Sequence, residues 1–517
     1  MQLGELLCTA LNKAGFFTLT YPEYPSRIRG GDNNIQIVIS SQEDIAPREK
    51  VDAVFSFDKS LEIAHKSDLR TGGISFNAVS AGINMIPAVV ENSIVGNSAL
   101  AGFIWKYLSQ DLNVLEDIIK AIFETRYTKA NLEAARAGYS LFQGRVGLMP
   151  KPSQDNILAA TGNEVFASSA VKAECEYVSI YPMTPITSLL AHLSKTDLKI
   201  VVPEDEIFAA LSTLGASYAG KRALTATSGG GFCLMTEAVG FAGMAEIPFV
   251  VILGQRPGPS SGMPTYSAQS DLNFAIFSGH DDFPKIVLAP GDLGEIIRLT
   301  QEAFNLADRF QVPVIILTDK YLSESRFSSP AKLLAKIKVK IDRGKRYNGK
   351  EKGYARYKLT TDGISPRAYP GETTFLTNSY EHDQYGYSTD EAGDKRRMSA
   401  KRAKKLCSLK GGFEIYGDPQ SKTVVLEWGS GKAQTSEVRR ELPGVKFIHI
   451  WRVWPFPKEL SDVLAKAKKT LVVENNFSGQ MAKIIRRETG LQADSILKSD
   501  GRPFFKEELL RLIKEKI

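Results

Sequence analysis

Residues 223–253 read ALTATSGGGFCLMTEAVGFAGMAEIPFVVIL, and their pattern decides the fold. The apolar run Ala223–Thr227 has the length of a buried strand. Thr227-Ser228-Gly229-Gly230-Gly231 punctuates it as a turn, and Phe232–Met244 follows with helical spacing. Phe249–Leu253 is a second apolar run of strand length. Strand, helix and strand in that order form a parallel βαβ unit. Outward from it, further strand-like runs lie at Tyr177–Tyr181, Lys199–Val202, Lys285–Ala289 and Val312–Leu317, and Gly294–Leu306 is helical. The pattern predicts a doubly wound parallel sheet, which binds ligands beyond the carboxyl ends of its strands.

The chain has 517 residues, 43% of them hydrophobic and 24% charged, so it falls in the globular range rather than the disordered or fibrous one. Its 65 basic and 58 acidic residues leave +7, too mild to argue for nucleic acid. Apolar runs such as Pro248–Leu253 are far shorter than a membrane span, and no signal peptide is evident. Cys8, Cys175, Cys233 and Cys407 form no CxxC pair, so the chain is expected to hold no metal and to work in the reducing cytoplasm.

Four segments follow. Residues 1–150 contain strand-like Ile35–Ile39 and Ala53–Phe57, then a helical stretch over Leu112–Ala137. Residues 155–330 hold the regular α/β pattern. Residues 331–410 form a basic connector: Lys332–Lys410 carries 20 Lys and Arg against 9 Asp and Glu, or +11, leaving 7 − 11 = −4 elsewhere. That excess reads either as a solvated connector or as a docking surface. Residues 411–517 return to α/β, with strands at Thr423–Glu427, Val445–Ile450 and Thr470–Glu474.

The loops after the strands of the second segment are the candidate chemistry. Tyr181-Pro182-Met183-Thr184-Pro185 is stiffened by two prolines and presents the Thr184 hydroxyl near a helix start, where it serves a ligand or an N-cap. Glu204-Asp205-Glu206 opens a helix, as dipole partners or as proton-sharing groups. Ser228, Gly229 and Gly230 suit either a tight turn or close approach of a flat ligand. Arg256 begins a long proline-stiffened loop and suits bidentate carboxylate binding. Gly215–Lys221 mimics a phosphate loop, but Arg222 replaces the required Ser or Thr, and the segment ends a helix instead of starting one.

Together these loops resemble the α subunit of 2-oxoacid:ferredoxin oxidoreductases. The resemblance runs through Glu204-Asp205-Glu206, Ala226–Phe232, Gln255–Ser260, Met263-Pro264-Thr265, Gln269–Leu272 and Gly279-His280-Asp281. It continues at Ser365-Pro366-Arg367, Glu381-His382-Asp383, Trp428-Gly429-Ser430 and Trp454-Pro455-Phe456-Pro457. Tyr24–Gly31 looks like the γ segment of the same enzymes, in the fused γ–α order. The chain opens about where a helix would follow that segment's glycine-rich turn, so the γ-type domain is expected to lack its N-terminal Gly-rich segment.

The resemblance implies a pyrimidine-type thiamine-diphosphate domain followed by a transketolase C-terminal-like domain. It assigns the cofactor-activating carboxylate to Glu206, with Glu204 as the other choice, and substrate binding to Thr184 and Arg256. Tyr181, Pro182, Ser228, Gly229 and Gly230 would flank the cofactor. The implied reaction is oxidative decarboxylation of a 2-oxo acid, with 2-oxoglutarate favoured, to acyl-CoA and CO2, electrons passing to ferredoxin. Pyruvate, branched-chain and aryl 2-oxo acids remain open, as does a non-oxidative thiamine-diphosphate decarboxylase or transferase. No Gly-Asp-Gly segment followed by Asn is present for Mg2+, nor a cysteine set for [4Fe-4S]. Both are expected on a β subunit, in a heterodimer or a dimer of heterodimers.

Overall fold

The structure is a computed structural model and describes residues 2–26, 32–144, 147–349 and 353–517. Most of the γ-like motif, Arg27–Gly31, lies outside the described residues. The chain forms two compact units: Met1–Ala160 with Ser325–Ala335 and Phe505–Arg511, and Thr161–Glu324 with Lys336–Phe504 and Leu512–Ile517.

In the first unit a four-stranded sheet runs in the order Asn34–Ser40, Phe17–Glu23, Arg326–Pro330, Ile157–Thr161. Its first two pairings are antiparallel, with Thr18 opposite Ile39 and Leu19 opposite Phe327. The expected helical stretch from Leu112 is two helices, Leu112–Ile122 and Thr125–Leu141. Phe123 is extended between them, and the Thr128 hydroxyl donates to the Phe123 and Glu124 carbonyls. Helix Gly96–Tyr107 packs backbone to backbone on Thr125–Leu141. A Cβ on Gly102 would lie 2.0 Å from the Ala135 oxygen, and one on Gly138 would lie 1.9 Å from the Ala99 oxygen. Leu7, Leu11, Trp105, Leu115 and Ile119 fill the core beneath.

The second unit holds the doubly wound sheet. Its order is Arg452–Trp454, Ile286–Leu288, Pro313–Asp319, Phe249–Gln255, Ala223–Ser228, Tyr177–Ser179, Lys199–Val201. All pairings are parallel except that of Arg452–Trp454 with Ile286–Leu288. The chain runs outward from Tyr177–Ser179 to Lys199–Val201, then returns to Ala223–Ser228 on the other side. The winding therefore reverses there, and a crevice opens beyond the carboxyl ends of these strands. A second sheet, Phe413–Gly417, Lys446–Ile450, Thr423–Trp428, Lys469–Glu474, Asp494–Leu497, is parallel except for its first strand.

The basic stretch is no loose solvated tether. It contains helix Ala392–Lys404; Lys401 on this helix and Lys405 at its C-cap reach inward to Glu246 at 2.6 and 2.7 Å. Arg402 pairs with Glu381 at 2.8 Å. All three cations are buried, while Arg396, Arg397 and Lys404 stay exposed. Buried charges require partners, and these attach the connector to the core.

Candidate active site at the switch point

Four neighbouring strands bring the candidate loops side by side at one sheet edge. Tyr181–Pro185 follows Tyr177–Ser179, and Glu204–Glu206 follows Lys199–Val201. Gly229–Gly231 follows Ala223–Ser228, and Arg256 follows Phe249–Gln255. Tyr181 and Pro182 are exposed, and Thr184 and Arg256 are half-buried. Gly254 lets the first loop lie flat, since a Cβ there would meet Ile186 Cδ1 at 2.8 Å.

The three acids take three different positions. Glu204 is exposed. Asp205 is the N-cap of helix Glu206–Tyr218 and accepts from the Phe208 amide at 2.8 Å. Glu206, only 4% exposed, turns inward, and its Oε1 has no hydrogen-bond partner among the described residues. A buried carboxylate without a partner is costly and calls for a donor from a ligand.

Of the two readings of the glycine stretch, the tight turn fails. Helix Gly229–Met244 begins at Gly229 itself, with Ser228 as N-cap position, and none of the three glycines has positive φ. Their role is space. A Cβ on Gly231 would stand 2.2 Å from Thr227 Oγ1 and 2.6 Å from Glu206 Oε1, and one on Gly229 would stand 2.7 Å from Asp271 Oδ2. The missing side chains leave a backbone floor between two carboxyl groups.

Arg256 donates from Nη1 to the Thr184 carbonyl at 3.0 Å, joining the two predicted substrate residues. Burial pulls its pKa down, opposed by Asp271. In the sequence Asp271 stands only within the Gln269–Leu272 motif. It precedes helix Leu272–Phe277 in the N-cap position but makes no capping bond with its side chain. Its Oδ2 is buried and unpartnered among the described residues, and burial raises its pKa to about 6 against the pull of Arg256. An aspartate before a helix reads as a cap, so the sequence offered no sign of this inward turn. Ser228 Oγ is likewise buried and unpartnered.

Motifs far apart in sequence support this edge. Gln255 Oε1 accepts from the Asp271 amide at 3.0 Å. Gln269 donates to the Trp428 carbonyl at 2.7 Å and accepts from the Asn475 amide at 2.9 Å. Ser430 hydrogen-bonds Asp319, whose pKa burial raises. Trp454 belongs to the antiparallel edge strand of the central sheet.

Three orphaned polar atoms around a side-chain-free turn fit a flat nitrogen heterocycle, and a doubly wound sheet with such a crevice has the layout of the thiamine-diphosphate enzymes. Comparison with known proteins agrees. Residues 168–402 match the family model described as pyruvate flavodoxin/ferredoxin oxidoreductase, thiamine diP-binding. Residues 1–141 match the one described as pyruvate ferredoxin/flavodoxin oxidoreductase. The 2-oxoacid:ferredoxin oxidoreductase subunit alpha of a Sulfolobus species is 30% identical, covering 98% of this chain and 93% of its own. The 2-oxoglutarate synthase subunit KorA of Methanocaldococcus jannaschii is 33% identical over 68% of this chain and 98% of its own. A solved 2-oxoglutarate:ferredoxin oxidoreductase from Magnetococcus marinus, with 2-oxoglutarate, coenzyme A and succinyl-CoA bound, superposes with a TM-score of 0.91. It is 28% identical, and the match covers 100% of this chain and 97% of that one. The chain belongs to the family of 2-oxoacid:ferredoxin oxidoreductase α subunits.

Proposed function

We propose that this chain catalyses, with a β subunit, the oxidative decarboxylation of a 2-oxo acid, 2-oxoglutarate first, to acyl-CoA and CO2, electrons passing to ferredoxin. The observation that carries the reading is the buried Glu206 Oε1, without a partner among the described residues, against the glycine floor. Thiamine diphosphate, when bound, supplies the electron sink that such a decarboxylation needs. Glu206 Oε1 would hold the cofactor's aminopyrimidine by sharing a proton with it, and Tyr181, Pro182, Ser228, Gly229 and Gly230 would border the ring. Arg256, oriented by the Thr184 carbonyl, holds the substrate carboxylate, and Thr184 donates its hydroxyl to the carboxylate or keto oxygen. Partial burial strengthens these contacts by excluding water. The relatives named for 2-oxoglutarate support that substrate.

Magnesium and the [4Fe-4S] cluster are assigned to the β subunit on the resemblance to the family, since the sequence has neither a Gly-Asp-Gly segment followed by Asn nor a cysteine set. The docking face adjoins the site: Val202, Ile207, Phe208, Leu211 and Leu234 are all exposed. Ile207, Phe208 and Leu211 share one face of the helix that opens with Glu206, an apolar patch that a partner would cover. The reading includes a γ-type domain at 1–150, a pyrimidine domain at 155–330, a connector at 331–410 and a C-terminal domain at 411–517, in a cytoplasmic heterodimer or a dimer of heterodimers. No described helix is long and apolar enough to cross a membrane. The test is co-purification with the β subunit and viologen reduction with 2-oxoglutarate, pyruvate, branched-chain and aryl 2-oxo acids. Activity should need coenzyme A and fall by orders of magnitude in Glu206→Gln. Turnover without coenzyme A or an electron acceptor would favour a non-oxidative thiamine enzyme and overturn the proposal.

A further inference from the structure

Helix Gly162–Lys172 opens on a capping box: the Glu164 amide donates to Thr161 Oγ1 at 3.2 Å, and the Thr161 amide donates to Glu164 Oε2 at 2.7 Å. Asn163 stands inside that box, yet its side chain bonds nothing in its own helix. An asparagine in a first turn commonly serves the cap or the nearby backbone. This one is wholly buried, and its amide reaches another element. Nδ2 donates to the Pro185 carbonyl at 2.9 Å and to Ser188 Oγ at 2.7 Å.

Pro185 directly follows Thr184, whose carbonyl accepts from Arg256 Nη1 at 3.0 Å. Two successive carbonyls of one loop are therefore held by side chains from two other elements. The loop has little slack elsewhere, because Pro185 Cγ and Ile186 Cδ1 lie 3.0 and 2.8 Å from where a Cβ on Gly254 would stand. Between Thr184 Cα and the Pro185 carbonyl lie one planar peptide and one ring-locked φ, so fixing that carbonyl restrains Thr184. Asn163 Oδ1, by contrast, is buried without a partner among the described residues. A stranded acceptor lowers stability, so the donor side of the amide is the part with a use.

We propose that Asn163 is a positioning residue for the 2-oxo acid: it holds the Pro185 carbonyl and thereby sets the place of the Thr184 hydroxyl beside Arg256. This rests on the proposed function, in which Thr184 and Arg256 bind the substrate. The bond from Arg256 to the Thr184 carbonyl is a single point of attachment, about which the peptide can pivot. The bond from Asn163 to the next carbonyl removes that pivot before substrate arrives. A donor ordered in advance binds without the entropy cost of ordering it.

The test uses the α–β complex and viologen reduction per bound thiamine diphosphate. Asn163→Leu loses the donor and the stranded acceptor together. It should melt within about 2 °C of wild type but lose about ten-fold in kcat/KM for the 2-oxo acid. In a Thr184→Val background the same substitution should cost about two-fold or less, because the hydroxyl it positions is gone. Equal losses in the two backgrounds would mark a merely structural role and overturn the proposal, as would an unchanged kcat/KM in Asn163→Leu. Asn163→Asp keeps the shape and decides if the leucine variant does not fold. Its ionised carboxylate repels the Pro185 carbonyl, whereas the protonated form donates again. Its kcat/KM relative to wild type should therefore recover as pH falls from about 9 to about 6. No loss, or a loss independent of pH, would overturn the role. If the wild-type complex reduces no viologen with any 2-oxo acid, the proposed function itself fails, and this role with it.

Discussion

Gly231→Ala and Gly230→Ala make a matched pair, because both positions lie in the first turn of helix Gly229–Met244 without positive φ. Backbone strain therefore does not separate them. At Gly230 an added methyl meets nothing within 4 Å, whereas at Gly231 it meets Thr227 Oγ1 at 2.2 Å, Glu206 Oε1 at 2.6 Å and Glu206 Cγ at 2.8 Å. Gly230→Ala should be neutral or stabilise by up to about 0.5–1 kcal/mol through reduced chain entropy. Gly231→Ala must push Glu206 or the helix aside, and overpacking of this kind costs roughly 1–3 kcal/mol. The difference should be about 2–4 kcal/mol in urea unfolding of the second unit. Displacing Glu206 by the ~1 Å that relieves the contact should also lower viologen reduction by the reconstituted complex about 10²-fold. Gly230→Ala should stay near wild type in that assay. Two variants indistinguishable in unfolding and turnover would refute the reading of this turn as space made for Glu206 and a ligand.

Asp271 should make stability fall as pH rises. Its folded pKa of about 6 exceeds the unfolded value near 3.9, so its contribution is complete below pH ~3.9 and lost through pH ~6. Asp271→Asn should therefore gain on wild type by on the order of 2–3 kcal/mol between pH 4.5 and 8 in ligand-free chemical denaturation, and parallel curves would contradict this. His449 is clasped between Glu295 at 2.8 Å and Glu427 at 3.0 Å, and these carboxylates raise its pKa to about 10 against burial. Its stabilisation is complete below pH ~6.5 and lost as pH rises through about 10. His449→Gln, leaving two buried acids short of a counter-ion, should cost about 3–5 kcal/mol at pH 7, and a loss under 1 kcal/mol would refute it. Arg256→Lys should lower kcat/KM for the 2-oxo acid roughly 10–100-fold, chiefly through KM, because a point charge replaces a planar fork. In the first unit, Gly102→Ala forces a methyl to 2.0 Å from the Ala135 oxygen and should destabilise that unit by about 3 kcal/mol or more on thermal denaturation.

The strands of the central sheet were legible because burial on both faces leaves apolar runs that little else produces. Predicted Phe249–Leu253 and Val312–Leu317 differ from Phe249–Gln255 and Pro313–Asp319 only at their ends. What the sequence could not disclose were consequences of direction. Glu204, Asp205 and Glu206 are equivalent as composition, yet helix geometry sends one outward, uses one as cap and buries the third. The glycines read equally as a tight turn or as room for a flat ligand; what decides against the turn, a carboxyl group 2.6 Å from an absent Cβ, belongs to tertiary structure. The basic connector misled for a similar cause. A run of lysine and arginine is usually solvated, and only the placement of Glu246 and Glu381 opposite it shows that half of it faces inward.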